Sequence, residues 1–400
     1  MISALRQSYN QQFTPAKYQA FLHSLAVEAG EAPAFRVAET PVFVPADLTV
    51  KLVRACEEII DVIVQPDFKA LTRDAIPPTL NVPDESPHPH FLVIDFAVCR
   101  DTEGQLQPQL IEMQGFPSLL AFQEVMARHF REQFTIPDTV NNFFSGLTSE
   151  TYYAQLRELL IGPYRPEEVV LLEVNPGAQK TRVDFYCTEL KLGIRPVCVT
   201  ELIQEGKQLY YRYEGEQIRI RRIFNRVIFD DLHRQQQTLP PHVNLFQHLD
   251  VEWITHPNWF YRISKYTLPF IHSEFVPKSW FLHTLPVLPA DLENYVLKPL
   301  FSFAGQGVVI DVTQADIDAI KDPEHWILQH KVQYAPVIET PGGPAYCELR
   351  MMYIWQEGAA RPMLVHNLAR ISKSKMIGVN FNNRDTWVGG SCAFFEQKQS

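Results

Sequence analysis

The sequence predicts an α/β protein of mixed α+β character with more than one domain. Three features lead to this prediction. Residues 1–90 carry helical patterns, strands and helices alternate over residues 163–255, and short strands separated by turns fill residues 256–400. A chain of 400 residues with 46% hydrophobic and 20% charged residues has an ordinary globular composition and is too long for one small core.

The N-terminal region, residues 1–90, is predicted to be mainly helical. Helices are expected over 16–29 and 47–64, and Asp47 is expected to cap the second helix. Prolines then cluster between 77 and 89. They favour a loop-rich connector, because proline interrupts regular structure. We therefore expect this helical region to end where the first long strand begins.

The next region, residues 91–162, is predicted to begin with a β-hairpin. Phe91–Val98 and Leu110–Met113 are strand-like runs on either side of a polar turn. Apolar residues at helical spacing then predict helices over 118–134 and 149–161.

Three oxygen-bearing side chains of this hairpin can share one face. Asp95 and Glu112 can point the same way across an antiparallel pair, and Gln114 follows Glu112 by two residues. Two carboxylates and an amide oxygen suit Mg²⁺. The alternative is that both acids are ordinary exposed strand residues, but a carboxylate inside an apolar run is costly without a partner. We therefore predict a metal site formed by Asp95, Glu112 and Gln114.

Residues 163–255 are predicted to form a small α/β domain. A strand over 168–174 precedes a helix over 181–192 that ends at Gly193. A second strand, a hairpin and a final strand over 222–229 follow. This alternation is typical of a sheet covered by helices.

Two residues of this domain are candidate substrate contacts. Asn175 and Arg226 lie at or near the ends of predicted strands, where open α/β sheets bind ligands. Asn175 also belongs to the sequence Glu173-Val-Asn175-Pro, whose carboxylate and amide oxygens are an alternative pair of metal ligands. We prefer Asp95 and Glu112 for the metal, because no Asp-bearing partner strand precedes Glu173.

The most informative segment of the chain lies between short predicted strands at 295–297 and 308–310. Lys298 follows the first strand, and a loop of small residues follows Lys298. Glycine has no Cβ, so the loop N–H groups can approach phosphate oxygens, and the lysine adds a positive charge. The alternative is a hairpin with a glycine-rich turn and solvated lysines. The candidate phosphate contacts of the loop are Ser302, Gly305, Gln306 and Gly307.

Two common nucleotide-binding motifs do not fit this loop. A Walker loop requires Gly-Lys-Ser/Thr, whereas Val308 follows Gly307. A dinucleotide fingerprint requires a third glycine and a following helix, and both are missing after Gly307.

Further lysines and arginines of the C-terminal region lie on predicted strands or at their ends. Several positive groups that converge on one site suit a triphosphate. These candidates and their neighbours are Lys265, Gln329, Lys331, Val332, Arg350, Arg370 and Asn380.

Taken together, these motifs resemble the ATP-grasp superfamily. Its second lysine and glycine loop resemble Lys298-Pro299 and the residues up to Gly307, and its earlier lysine resembles Lys265. Its adenine-contacting hinge resembles Gln329–Val332, which includes Lys331. Its metal motif resembles Asp95, Glu112 and Gln114, although the family usually has Asn where Gln114 stands. The resemblance assigns catalytic roles to Arg350, Arg370 and Asn380.

The order of the motifs resembles circularly permuted ATP-grasp proteins, of which glutathionylspermidine synthetase is the known type. The metal motif comes first here, and the lysines come last. The resemblance implies an ATP-grasp fold split into a metal-binding half, 91–162, and an ATP-binding half, 256–400. A small Rossmann-like domain, 163–255, would lie between the halves, and the helical region 1–90 falls outside the resemblance.

The resemblance implies a ligase that uses ATP and Mg²⁺ to join a carboxylate to an amine or thiol through an acylphosphate. The expected partners are ATP and small-molecule or peptide carboxylates and amines. Two alternatives stay open, namely a non-catalytic ATP-binding protein and a phosphotransferase. The sequence does not identify the carboxylate or the amine.

The bulk composition argues against other classes of protein. A net charge of −10 disfavours nucleic-acid binding, which needs a basic face. No apolar run reaches the roughly 20 residues of a membrane span. The N-terminus lacks the apolar segment of a signal peptide. Six scattered cysteines without a Cys-x-x-Cys pair indicate free thiols in a reducing cytoplasm.

Overall fold

The computed structural model describes residues 1–235, 237–301, 306–374 and 385–397. A five-stranded antiparallel sheet, here called the central sheet, lies at the middle of the fold. The predicted hairpin forms two of its strands. In order across the sheet, the strands are Gly389–Ser391, Met363–Ser372, Tyr346–Ile354, Phe91–Arg100 and Leu106–Gln114.

A second antiparallel sheet of four strands, here called the lysine sheet, carries Lys298. The strand predicted over 295–297 was too short. It continues to Pro299, so Lys298 lies within the strand and not after it, and the strand pairs with a neighbour on each side. The strands in order are Ser279–Phe281, Trp326–His330, Tyr295–Pro299 and Val309–Ile310.

The predicted α/β domain contains a parallel four-stranded sheet. Gly193 adopts φ +78° directly after the helix Arg182–Leu192, as a glycine C-cap requires. An antiparallel sheet adjoins it, with strands Ile203–Glu205, Gln208–Tyr213 and Glu216–Ile220. The parallel strands in order are Glu252–Ile254, Arg222–Asn225, Val169–Glu173 and Arg195–Cys198.

The predicted strand over 222–229 was too long. The strand ends at Asn225, because the Asn225 side chain accepts a hydrogen bond from the N–H of Val227 at 3.0 Å and turns the chain. A helix, Phe229–Gln235, begins where the strand was expected to end.

The N-terminal region packs against the rest of the chain. The helix Ala46–Ile63 shares a hydrophobic core with the central sheet and the lysine sheet. Val42–Val44 pairs in parallel with Ala393–Glu396, which pairs in turn with Val140–Asn141. The prediction of Asp47 as the N-cap was wrong. Pro45 holds that position and Asp47 lies in the first turn, where a negative charge is also favourable.

The helices Pro15–Ala29, Leu120–Gln133 and Ser149–Leu160 agree in place with the predictions, whereas Ser3–Gln12 and the short helices Phe68–Leu71, Asn258–Arg262 and Gln314–Asp318 were not predicted. All six cysteines are buried and free. No helix within the described residues has both the length and the apolar character needed to cross a membrane. The remaining α-helices are Pro15–Ala29, Phe68–Leu71, Leu120–Gln133, Ser149–Leu160, Asn258–Arg262 and Gln314–Asp318.

Candidate functional site

One face of the central sheet carries a cluster of charged side chains. Asp95 lies opposite Glu112 on one neighbouring strand and opposite Arg350 on the other, and Glu348 lies opposite Arg370. Paired residues of antiparallel strands point to the same face, as do residues two apart on one strand. The register therefore brings these five side chains together, and Asp95 and Glu112 share one face of the hairpin, as predicted.

Asp95 is the centre of this cluster and is only 1% exposed. Arg350 donates from Nε to Oδ1 at 2.6 Å and from Nη2 to Oδ2 at 2.7 Å, and Nη2 of Arg370 also donates to Oδ2. Burial alone would raise the pKa of Asp95, but the charges of Arg350 and Arg370 outweigh burial and lower it. Asp95 is therefore an ionised carboxylate held by two guanidinium groups.

Glu348 continues the cluster on the far side of Arg370. Its Oε2 lies 3.2 Å from Nε of Arg370, and its Oε1 accepts a hydrogen bond from the hydroxyl of Tyr334. Burial raises the pKa of Glu348, while the charge of Arg370 opposes the change. Neither Glu348 nor Tyr334 was predicted from the sequence to belong to the site. The available signal was the spacing of Glu348 two residues before Arg350, which places opposite charges on one face of an apolar strand.

Glu112 and Gln114 lie at the more open end of the cluster, and both are half-buried. The Gln114 amide donates to Oε1 of Glu112 at 3.0 Å, and Nη2 of Arg350 lies 3.9 Å from the same oxygen. No described residue donates a hydrogen bond to Oε2 of Glu112. Glu112 therefore retains an oxygen that can accept another ligand.

Lys298 joins the lysine sheet to this face. Its Nζ donates to the main-chain oxygen of Ile111 at 3.2 Å and to Oε1 of Gln329 at 2.7 Å. The register passes from the pair Asp95–Glu112 to the pair Phe96–Leu110, so Ile111 is the extra residue of a β-bulge. The bulge leaves the Ile111 carbonyl free to accept from Lys298.

Lys298 and Lys265 are two buried cations close to each other. Burial, the charge of Lys265 and the opposing charge of Glu112 together lower the pKa of Lys298 to about 8. Burial also lowers the pKa of Lys265, and Glu112 opposes this effect. An anion placed beside both lysines would raise their pKa values again, because a nearby negative charge favours the protonated form of lysine.

Gln329, predicted to lie in the adenine hinge, points into the site. Its amide donates to the Ser279 hydroxyl at 2.9 Å while its oxygen accepts from Lys298. Lys331 turns away, since its Nζ pairs with Asp311 and donates to the Glu293 carbonyl at 3.0 Å. The backbone N–H of Lys331 donates to another main-chain oxygen. The hinge assignment, which includes the half-buried Val332, stays a prediction.

Of the glycine loop, the structure describes only the last residues, Gln306 and Gly307. Gln306 and Gly307 are exposed, and Gly307 has φ +73°, a conformation that favours glycine. Ser302, Gly305 and Asn380 lie outside the described residues.

Arg226, one of the two predicted substrate residues, lies near the charged cluster. It is buried, donates to the Pro117 carbonyl, and its guanidinium lies 4.5 Å from the centre of the Phe116 ring. Burial lowers its pKa, and Glu173 on the neighbouring strand opposes this effect. Asn175, in contrast, is exposed, and its N–H contacts the Cys198 sulfur at 3.4 Å.

The buried carboxyl of Glu173 was not selected from the sequence. It lies at the carboxyl end of a parallel strand, and burial raises its pKa to about 7 despite the charge of Arg226. The available signal was its place at the end of an apolar strand, next to Asn175.

The predicted magnesium ligands fit a metal ion unequally. Asp95 is enclosed by two cations, whereas Glu112 and Gln114 are half-buried and can offer a carboxylate and an amide oxygen. Within the described residues, no three His, Cys, Asp or Glu side chains are grouped so that they could hold a metal. Magnesium binding by Glu112 and Gln114 stays a prediction, and it would need further oxygens from phosphate or water.

Comparisons with known proteins identify the fold but no family. No protein-family model matches the chain, and no curated protein matches it. A solved structure of similar fold is a glutathione synthetase-like effector (GSS30) from Globodera pallida in its apoform. The two are 10% identical, with a TM-score of 0.57, over 95% of this chain and 96% of that one. The chain therefore has the mixed α+β fold of a glutathione synthetase-like protein.

Proposed function

We propose that the chain is an ATP- and Mg²⁺-dependent ligase with a circularly permuted ATP-grasp fold. It would join a carboxylate to an amine or thiol through an acylphosphate. The observation that carries the proposal is the convergence of Lys298 and Lys265 on the face that holds Glu112, Arg350 and Arg370. Four buried or partly buried cations beside a few carboxylates suit a bound triphosphate.

The chemistry that this face can support is phosphoryl transfer to a carboxylate. A carboxylate oxygen would attack the terminal phosphorus of ATP, and the bond to the bridging oxygen would break to release ADP. An amine would then attack the carbonyl carbon of the acylphosphate, lose a proton and expel phosphate. Lys298, Arg350 and Arg370 would offset the charge that develops on the transferred phosphoryl group.

Glu112 and Gln114 are the residues that would hold Mg²⁺. When bound there, the ion would neutralise charge on the terminal phosphates and orient them. The glycine loop up to Gly307 would cover the phosphates and keep water from the acylphosphate. Arg226, placed near both Glu173 and Arg350, would bind an anionic group of the substrate.

The test is Mg²⁺-dependent release of ADP in the presence of pooled amino acids, short peptides and polyamines. Stimulation by one pool in the wild type, and its loss in Glu112→Ala, is the expected result. Hydroxylamine in the same assay should trap the acylphosphate as a hydroxamate. ADP release without hydroxamate would favour a phosphotransferase that uses another acceptor.

A second candidate is a non-catalytic ATP-binding protein. The saturation of Asp95 by two arginines favours this alternative, as does Gln114 in place of the usual Asn. Stabilisation by ATP, with no ADP release from any pool, would support this alternative over the ligase.

A further inference from the structure

The contacts of Asp95 conflict with a role as a metal ligand. Its two oxygens accept three hydrogen bonds from Arg350 and Arg370, and its side chain is 1% exposed. Magnesium requires close oxygen ligands in near-octahedral geometry and keeps several of its waters. A divalent cation bound at Asp95 would displace these donors or lie against two guanidinium charges.

Asp95 is one link in a row of alternating charges across the central sheet. Glu348 contacts Arg370, Arg370 contacts Asp95, Asp95 contacts Arg350, and Arg350 approaches Glu112. The pairing of Asp95 with Arg350 is bidentate, which fixes the plane of the guanidinium group. The strand register sets this row, so the arginines are held before any ligand arrives.

Both arginines keep hydrogen-bond donors that the described residues do not use. Nε of Arg370 is buried and has no hydrogen-bond acceptor, because its N–H is not aimed at Glu348 although the atoms lie 3.2 Å apart. Among the described residues, neither Nη1 of Arg350 nor Nη1 of Arg370 meets an acceptor. Unused guanidinium donors on the charged face suit an oxyanion.

We infer that Asp95 is a positioning residue that orients Arg350 and Arg370 as a preformed phosphate site, and that it does not bind the metal. The inference rests on the proposed function, because it concerns the same nucleotide. It gives the three predicted metal ligands, Asp95, Glu112 and Gln114, two different roles. Asp95 orients the arginines that bind the phosphates, whereas Glu112 and Gln114 bind Mg²⁺.

Two binding measurements separate these roles. The first is the affinity for tripolyphosphate in EDTA, which measures phosphate binding by the arginines in the absence of metal and adenine. The second is the Mg²⁺ concentration that gives half-maximal ATP binding. Both are measured by calorimetry on wild type, Asp95→Asn and the matched variant Glu112→Gln, with near-ultraviolet circular dichroism to verify folding.

Asp95→Asn removes a negative charge, as Glu112→Gln does, but it also loses the bidentate pairing that orients the arginines. It should therefore weaken metal-free tripolyphosphate binding about tenfold or more and change the Mg²⁺ requirement less than about twofold. Glu112→Gln should raise the Mg²⁺ requirement about tenfold and leave metal-free binding no weaker, since it removes a negative charge. The inference is overturned if Asp95→Asn raises the Mg²⁺ requirement as much as Glu112→Gln and leaves tripolyphosphate binding unchanged.

The wild-type protein gives a second test that does not depend on the folding of a variant. A crystal structure with Mn²⁺ and a non-hydrolysable ATP analogue should keep Arg350 and Arg370 on Asp95, with the anomalous peak beside Glu112. A peak within bonding distance of Asp95 would overturn the inference. Tripolyphosphate binding with the expected variant pattern, but no ADP release, would contradict the ligase function and leave the inference standing.

Discussion

Lys298 should make nucleotide binding depend on pH. Its pKa is about 8, against 10.5 for an ordinary lysine, chiefly because it is buried. This difference costs the charged form about 3 kcal/mol in the ligand-free protein. The pKa is lowered on folding, so the cost is present in full below about pH 8 and disappears as the pH rises toward 10.5, where the unfolded chain also loses the proton.

Bound phosphates should restore the proton to Lys298. At pH 8 a lysine with a pKa of about 8 is half protonated, so a return of its pKa to the ordinary value takes up about 0.5 proton per ATP. The pKa of Lys265 is also lowered by burial. If bound phosphates raise this pKa as well, the proton uptake can only increase. At pH 6.5 Lys298 should already be protonated, and its contribution to the uptake should approach zero.

Calorimetric titration of ATP at pH 8 in buffers of different ionisation enthalpy measures this uptake. Lys298→Met should lose about 0.5 proton per ATP. Lys191→Met is the matched control, because Lys191 lies at the end of the helix Arg182–Leu192 and pairs there with Glu28, and its uptake should equal that of the wild type. An uptake that is unchanged in Lys298→Met would refute the role of Lys298, and so would a wild type without any uptake.

Three other changes have expected outcomes. Glu173→Gln should raise the free energy of unfolding by about 2–3 kcal/mol at pH 8 and by almost nothing near pH 4, because the raised pKa of Glu173 penalises only its ionised form; urea denaturation at both pH values measures this. Asp184→Ala should cost about 2–3 kcal/mol in the same assay, because Asp184 accepts hydrogen bonds from the N–H groups of Leu119, Ala121 and Phe122 at the start of a helix. A loss below about 0.5 kcal/mol would contradict this capping role. Glu112→Gln should lower the rate of Mg²⁺-dependent ADP release at least tenfold without changing the urea midpoint, and full activity would contradict the metal assignment.

Local patterns in the sequence were enough to predict the hairpin and the shared face of its two acids. Alternation placed Asp95 and Glu112 on one face, and the structure pairs them directly. The glycine after the helix Arg182–Leu192 and the strand that carries Lys298 also follow from short-range signals.

The partners of Asp95 could not be predicted from such patterns. Arg350 lies 255 residues away in the sequence and Arg370 lies 275 residues away, and only the sheet order brings them together. The β-bulge at Ile111 likewise depends on the pairing of two strands, and it creates the oxygen that Lys298 contacts. The strand ends early at Asn225 because the side chain of Asn225 accepts a hydrogen bond from the N–H of Val227, which competes with hydrogen bonding in the sheet.

The central claim is that ATP binds between the lysine sheet and the charged face of the central sheet. The most direct test is the ATP affinity of wild type, Lys298→Ala and the control Lys191→Ala, measured by calorimetry with Mg²⁺ at pH 7. Loss of a buried charge-assisted contact should weaken binding about tenfold or more in Lys298→Ala, while Lys191→Ala, whose lysine pairs with Glu28, should bind like the wild type. Equal affinity in all three proteins, or no binding by the wild type, would contradict the claim.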